Sequence, residues 1–135
     1  MAEQNIALFR RVAEEIWSSN KPGLIREIYA EDFVLHTPAG ALKGHDGYRG
    51  IYELYTSAFP DFRFQIADAF GSGDKVLLRW TFTGTHKGEF MGVPATGRRV
   101  SADGMAVARI ANGKVAEEWA VWDLYGLMQK VGAIG

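Results

Sequence analysis

The chain contains no cysteine, which removes disulfides, thiolate nucleophiles and cysteine-bound metals together and fits a reducing, cytoplasmic setting. Neither sign of charge dominates: 15 Lys and Arg stand against 16 Asp and Glu, a net charge of -1. Nucleic acid and anionic membrane surfaces are therefore not expected partners. No apolar run is long enough to cross a bilayer, and no charged-then-apolar leader follows Met1. Proline is scarce, with four residues, and each of Pro22, Pro38, Pro60 and Pro94 reads as punctuation between elements.

What is present suits one globular domain over residues 1–135, with 47% hydrophobic and 13% aromatic residues, enough for a large core or an aromatic-lined cavity. Ile6, Phe9, Val12, Ala13, Ile16 and Trp17 recur at helical spacing and predict a helix over 3–19. Pro22 suits the first turn of a second helix carrying Leu24, Ile25, Ile28 and Tyr29. Phe33 to His36 reads as a short strand. A third helix opens at Gly44, with Tyr48, Ile51, Tyr52, Tyr55, Ala58 and Phe59 on one stripe, and stops at Pro60. Buried phenols need hydrogen-bond partners, so this stripe is either ordinary core or a pocket wall.

Beyond Pro60 the period changes to two. Strands are predicted over Asp61–Ile66, Lys75–His86, Arg99–Ile110 and Val115–Asp123, with a turn at Asn112-Gly113 and a glycine-rich loop over 84–97. Leu124, Leu127, Met128 and Val131 close with a short helix. Helices first and strands after give an α+β fold. The expected form is a cone-shaped α+β barrel: three N-terminal helices packed on a curved, mostly antiparallel sheet, a short C-terminal helix, and a pocket between sheet and helices.

The segments Phe59-Pro-Asp-Phe-Arg-Phe64, Arg79-Trp80, Gly84-Thr-His-Lys-Gly-Glu-Phe90, Gly92-Val-Pro-Ala-Thr-Gly-Arg98, Asn112-Gly-Lys114, Glu118-Trp119, Trp122-Asp123 and Gly126-Leu127 occur in order. Together they resemble the SnoaL-like polyketide cyclases of the nuclear-transport-factor-2-like superfamily. The resemblance implies a cofactor-free, metal-free acid/base enzyme, a cyclase-like lyase or isomerase, acting on a small hydrophobic carbonyl compound. It also implies a homodimer. The fold hosts several activities, so a non-catalytic small-molecule binder and an epoxide-hydrolase-like activity remain as rivals.

In that family an aspartate on the last strand is the general acid/base, and Asp123 is the residue here that looks like it. Burial would have to raise its pKa toward neutrality; alternatively Asp123 caps the helix that starts at Leu124. Trp119 shares its face by alternation and would supply a dry wall, while Trp122 points the other way. His36 is the candidate helper, able to share a proton or polarise a carbonyl, or else a structural histidine. Tyr52, Tyr55, Phe59, Asp103, Met105 and His86 complete the expected substrate-binding set, with His86 at the rim. His45 reads as exposed, and the three histidines show no metal-ligand spacing.

Sister activities fit less well. Counting back from Pro38 puts the tyrosine and aspartate that ketosteroid isomerases need at Ala13 and Thr37. The arginine that epoxide hydrolases place two residues before an aspartate is missing from Ser101-Ala-Asp103. Whether Asp103 joins Asp123 depends on the hairpin. A two-residue turn sets Asp123 opposite Ala102, and a three-residue turn sets it opposite Ser101.

Overall fold

The computed structural model describes residues 2–133. Helix α1 (Ala2–Arg11) runs directly into a π-helical segment, Val12–Ser18, where a straight α-helix over 3–19 was expected. After a 3-10 turn at Pro22–Leu24, helix α2 lasts only Ile25–Ile28. Strand β1 (Tyr29–Thr37) turns through Pro38 into the short β2 (Gly40–Lys43), which precedes helix α3 (Gly44–Ala58). Strands β3 (Arg63–Ser72), β4 (Lys75–Thr85), β5 (Arg99–Ala111) and β6 (Lys114–Trp122) follow, then helix α4 (Leu124–Lys130).

The six strands form one sheet in the order β2-β1-β6-β5-β4-β3. Only β1 and β6 pair in parallel; the other pairings are antiparallel. The sheet is open, with β2 and β3 at its edges, so the expected barrel is an unclosed cone. Helix α1 lies against β3 and β4, α3 against β1 and β2, and α4 against β5. No described helix is long and apolar enough to cross a membrane.

One irregularity decides the geometry of the site. The Asn112-Gly113 turn has two residues, with Ala111 opposite Lys114 and Ile110 opposite Val115, but Arg109 then pairs with Glu117. Ala116 is an extra residue in β6, a bulge that reverses the facing of everything beyond it. Asn112 and Gly113 both have positive φ, as a tight turn of this type requires. Val115 and, past the bulge, Glu118 and Ala120 are buried. The even-numbered residues therefore face the helices.

Candidate functional site

The middle of the inner face of β5 reads Ala102, Gly104, Ala106, Ala108. Side chains this small cannot fill the space beneath the helices. At Gly104 even a Cβ would come within 2.6 Å of the Trp80 ring. The result is a cavity of about 90 Å³ whose walls include Phe9, Val12, Trp17, Tyr48, Tyr55, Phe62, Trp80 and Trp122. The π-helical segment contributes Val12, Ala13 and Trp17 to this wall. It is tied to β3 by the Phe64 N–H, which donates to Ser18 Oγ at 2.9 Å. Aromatic rings pack edge and face around the cavity, with Phe62 stacked on Phe82 at 4.4 Å and Tyr55 edge-on to Trp122 at 5.9 Å.

A single carboxylate lines this apolar space. Glu118 is 5% exposed, and the Tyr29 hydroxyl donates to its Oε1 at 2.7 Å. Among the described residues no other hydrogen bond reaches it. Burial pushes the Glu118 carboxyl up to about 7, outweighing the opposing pull of Tyr29. Tyr48 stands beside this pair, its ring 4.4 Å from that of Tyr29, and accepts the Trp17 Nε1 proton at 2.8 Å. Burial first, and the Glu118 charge second, hold the Tyr29 and Tyr48 phenols well above their ordinary range. Both are therefore neutral donors at any working pH.

Farther along α3 and β6 lies a second indole–phenol pair. Trp122 Nε1 donates to the Tyr55 hydroxyl at 2.9 Å. Burial raises the Tyr55 phenol to about 12, with the Trp122 bond pulling the other way. A titratable carboxyl near neutrality, neutral phenols and dry aromatic walls are together what proton transfer to and from carbon requires.

Of the residues expected from sequence to make the site, Tyr55 lines the cavity. Asp123 lies on the opposite, exposed side of the sheet. Its carboxylate accepts from the Gly126 N–H at 2.9 Å and so caps α4. A Cβ at Gly126 would collide with it. The bulge places Asp103 opposite Asp123, through a backbone bond of 3.0 Å, so neither sequence-based register holds. Asp103 is also exposed and accepts from Thr81 Oγ1. Met105 and Trp119, 42% and 39% exposed, share that outer face.

His36 is there too, its Nε2 2.7 Å from Glu117 Oε2 and its ring stacked on Trp119. Tyr52 is buried, but its hydroxyl donates to Asn20 Oδ1 rather than meeting the cavity. Phe59 packs behind the wall on Phe82 and Phe90. His86, expected at the rim, is fully buried. Its Nδ1 pairs with Thr96, and its Nε2 has no partner among the described residues. His45 is half-buried, its Nε2 at 2.8 Å from the Tyr29 carbonyl.

Sequence reading passed over Glu118, Tyr29, Trp17 and Trp122 as site residues, and took Tyr48 only as one of a stripe that is core or pocket wall. The available signal was the pair Glu117-Glu118. On a strand with one dry face, two adjacent carboxylates cannot both stay in water. Among the described residues no group of three or more acidic, histidine or cysteine side chains is arranged to hold a metal ion.

A family model for the SnoaL-like polyketide cyclases matches residues 7–131. Among solved structures, AclR from Streptomyces galilaeus, a candidate hydroxylase, is 30% identical. That match covers 99% of this chain and 84% of the other, with a TM-score of 0.90. IdmH from Streptomyces antibioticus, a candidate polyketide cyclase, is 29% identical over 96% of this chain and 99% of its own, with a TM-score of 0.84. A candidate SnoaL-like polyketide cyclase from Jannaschia sp. CCS1 shares the fold at a TM-score of 0.91 and 23% identity, covering 100% of this chain and 96% of that one. No curated protein sequence matches the chain.

Proposed function

The chain belongs to the SnoaL-like polyketide cyclase family, and from that premise we propose that it performs acid/base chemistry on a small hydrophobic carbonyl compound, with Glu118 as the proton-transferring group. The observation that carries this reading is a lone carboxyl, raised to about 7, in the wall of an otherwise apolar and aromatic cavity. A carboxylate of that pKa is part-ionised near neutrality, where a general base works best. The ionised form abstracts a proton from the carbon next to a substrate carbonyl. The resulting enolate attacks an electrophilic carbon of the same molecule, forming a C–C bond. Glu118 then returns its proton to the new alkoxide, so protons balance over the cycle and only proton transfer is asked of the protein. Tyr29 holds the carboxylate in place, and Tyr48 is the adjacent neutral donor for the enolate oxygen.

The test is exchange of the C1 hydrogens of 2-tetralone for deuterium in D2O, followed by NMR. The wild type should accelerate exchange with an apparent pKa near 7, and Glu118→Gln should not. Equal rates for the two proteins would sink the reading. Retained binding of the ketone with no acceleration in either would favour the rival, a non-catalytic binder.

For the expected homodimer we propose the outer face of β5 and β6. Met105 pairs with Val121 and Val107 with Trp119, and Met105, Trp119 and Val121 are exposed, a joined apolar patch that a second copy can cover symmetrically. Light scattering should give twice the chain mass, and Val121→Glu should halve it; a monomeric wild type overturns the assignment.

A further inference from the structure

The acid/base reading uses one end of the cavity. The other end holds a polar group with no task in that chemistry. Tyr55 is 5% exposed and lines the cavity. Its oxygen is occupied as an acceptor of the Trp122 Nε1 proton. Its own proton finds no acceptor among the described residues. A buried hydroxyl normally finds a partner for its proton, because leaving one unpaired is costly. Tyr48 is the counterpart at the first end: it takes the Trp17 indole proton, and its own proton is the one the acid/base reading assigns to the enolate oxygen. Tyr55 is left as a second donor for whatever enters the cavity.

The two ends are separated by a known number of residues on two elements. Tyr48 and Tyr55 are seven residues apart on α3, about 10 Å along a helix axis. Glu118 and Trp122 are four residues apart on β6, about 13 Å along a strand. The two measures agree that Tyr55 and Trp122 enter the wall farther along α3 and β6 than Tyr48 and Glu118 do.

Resting on the acid/base reading, we propose that Tyr55 is a specificity-determining donor, selecting ketones that carry a second acceptor oxygen away from the reacting carbonyl. The walls between the two ends are aromatic and apolar, so they recognise flat hydrocarbon, and the second oxygen is the feature that Tyr55 adds. The Trp122 Nε1–H bond holds the phenol oxygen at the cavity wall and leaves its proton for a ligand.

The experiment is a cycle between protein and ligand. Binding of 2-tetralone and of 6-hydroxy-2-tetralone is measured by calorimetry to the wild type and to Tyr55→Phe, and deuterium exchange at C1 is followed for both ketones. The wild type should prefer the hydroxylated ketone by roughly tenfold, the worth of one buried hydrogen bond. Tyr55→Phe should lose that preference by raising KM for the hydroxylated ketone only, with the exchange rate at saturation unchanged. A merely structural role would weaken both ketones alike.

Replacing Tyr55 with 3-fluorotyrosine, a more acidic phenol of nearly the same size that keeps the Trp122 bond, should increase the preference and guards against misfolding of the Phe variant. No preference in the wild type, or the same preference in Tyr55→Phe, overturns the proposal. Glu118→Gln separates the two readings: it should abolish exchange and keep the preference. Exchange at the wild-type rate in that variant would remove the acid/base reading while the binding cycle still decides Tyr55.

Discussion

Glu117 and Glu118 are neighbours in one strand and chemical opposites. Glu117 faces outward, where His36 Nε2 lies at 2.7 Å and Arg109 Nη2 at 3.4 Å. The His36 hydrogen bond, and then the Arg109 one, hold its carboxyl below the ordinary value. Glu118 faces inward, in no ion pair among the described residues, with one phenol as partner and a carboxyl raised to about 7. The side-chain chemistry is identical, so the difference belongs entirely to the two faces of the sheet. Water and cations make one glutamate a permanent anion; their removal makes the other a proton carrier at neutral pH. The single extra residue at Ala116 determines which glutamate has which fate.

The strongest way to break this comparison is to neutralise each glutamate in turn. Glu118→Gln should lower the 2-tetralone exchange rate by about 100-fold to 10,000-fold, the range general-base groups contribute. Glu117→Gln should leave it within about twofold, since an outer carboxylate exposed to solvent and salt has little reach through the sheet. A Glu117→Gln loss as large as that of Glu118→Gln would show that the faces are not independent.

The same pair gives opposite signs in stability. The carboxyl of Glu118 titrates near 7 in the folded chain and near 4.5 when unfolded. Between those values the folded state holds the proton more tightly, so stability falls as pH rises from about 4.5 to about 7 and is flat above. At about 1.4 kcal/mol for each tenfold, the gap caps the effect at roughly 3 kcal/mol. Glu118→Gln escapes this loss. Its urea midpoint, compared with the wild type, should gain between pH 4.5 and pH 8, and a constant difference would contradict the buried carboxylate. Glu117 contributes in the other direction, with stability present above its unfolded pKa and lost on acidification. Because it is exposed to solvent, that contribution is small.

The fold was legible in the sequence because its period-two strands, its proline stops and the tyrosine stripe of α3 are long-range patterns that survive small errors in boundary. Tyr48 and Tyr55 were visible as one face of that helix. Tyr29 was misread: with Ile25 and Ile28 it continues a helical spacing, yet α2 ends at Ile28 and Tyr29 begins β1, where it reaches Glu118. The face of β6 was not legible at all. Past Ala116 the odd set contains a tryptophan and two acids, Glu117, Trp119 and Asp123, and the even set contains Glu118 and Trp122. Either set reads as a dry wall with a carboxylate. Counting by twos from the buried Val115 selects the odd set, and only the bulge, which Val115-Ala-Glu-Glu118 does not announce, selects the even one. The relative facing of Trp119, Trp122 and Asp123 was right; its absolute sense was reversed.

Asp123 supplies the smallest and most discriminating effect. Sequence resemblance makes it the catalytic acid/base, which requires that Asp123→Asn abolish turnover. The structure makes it the N-cap of α4, its carboxylate bound to the Gly126 N–H on the exposed side of the sheet. Asparagine caps a helix about as well as aspartate, so Asp123→Asn should change neither the exchange rate nor the urea midpoint measurably. Asp123→Ala removes the cap and should cost about 1 kcal/mol with the exchange rate at saturation unaltered. The two variants together separate capping from proton transfer. A cap responds to loss of the acceptor and ignores loss of the charge, whereas a general base responds to both. If Asp123→Asn stops exchange in a protein that remains folded, the acid/base role returns to the outer face, and Glu118 is left as a buried acid without a task.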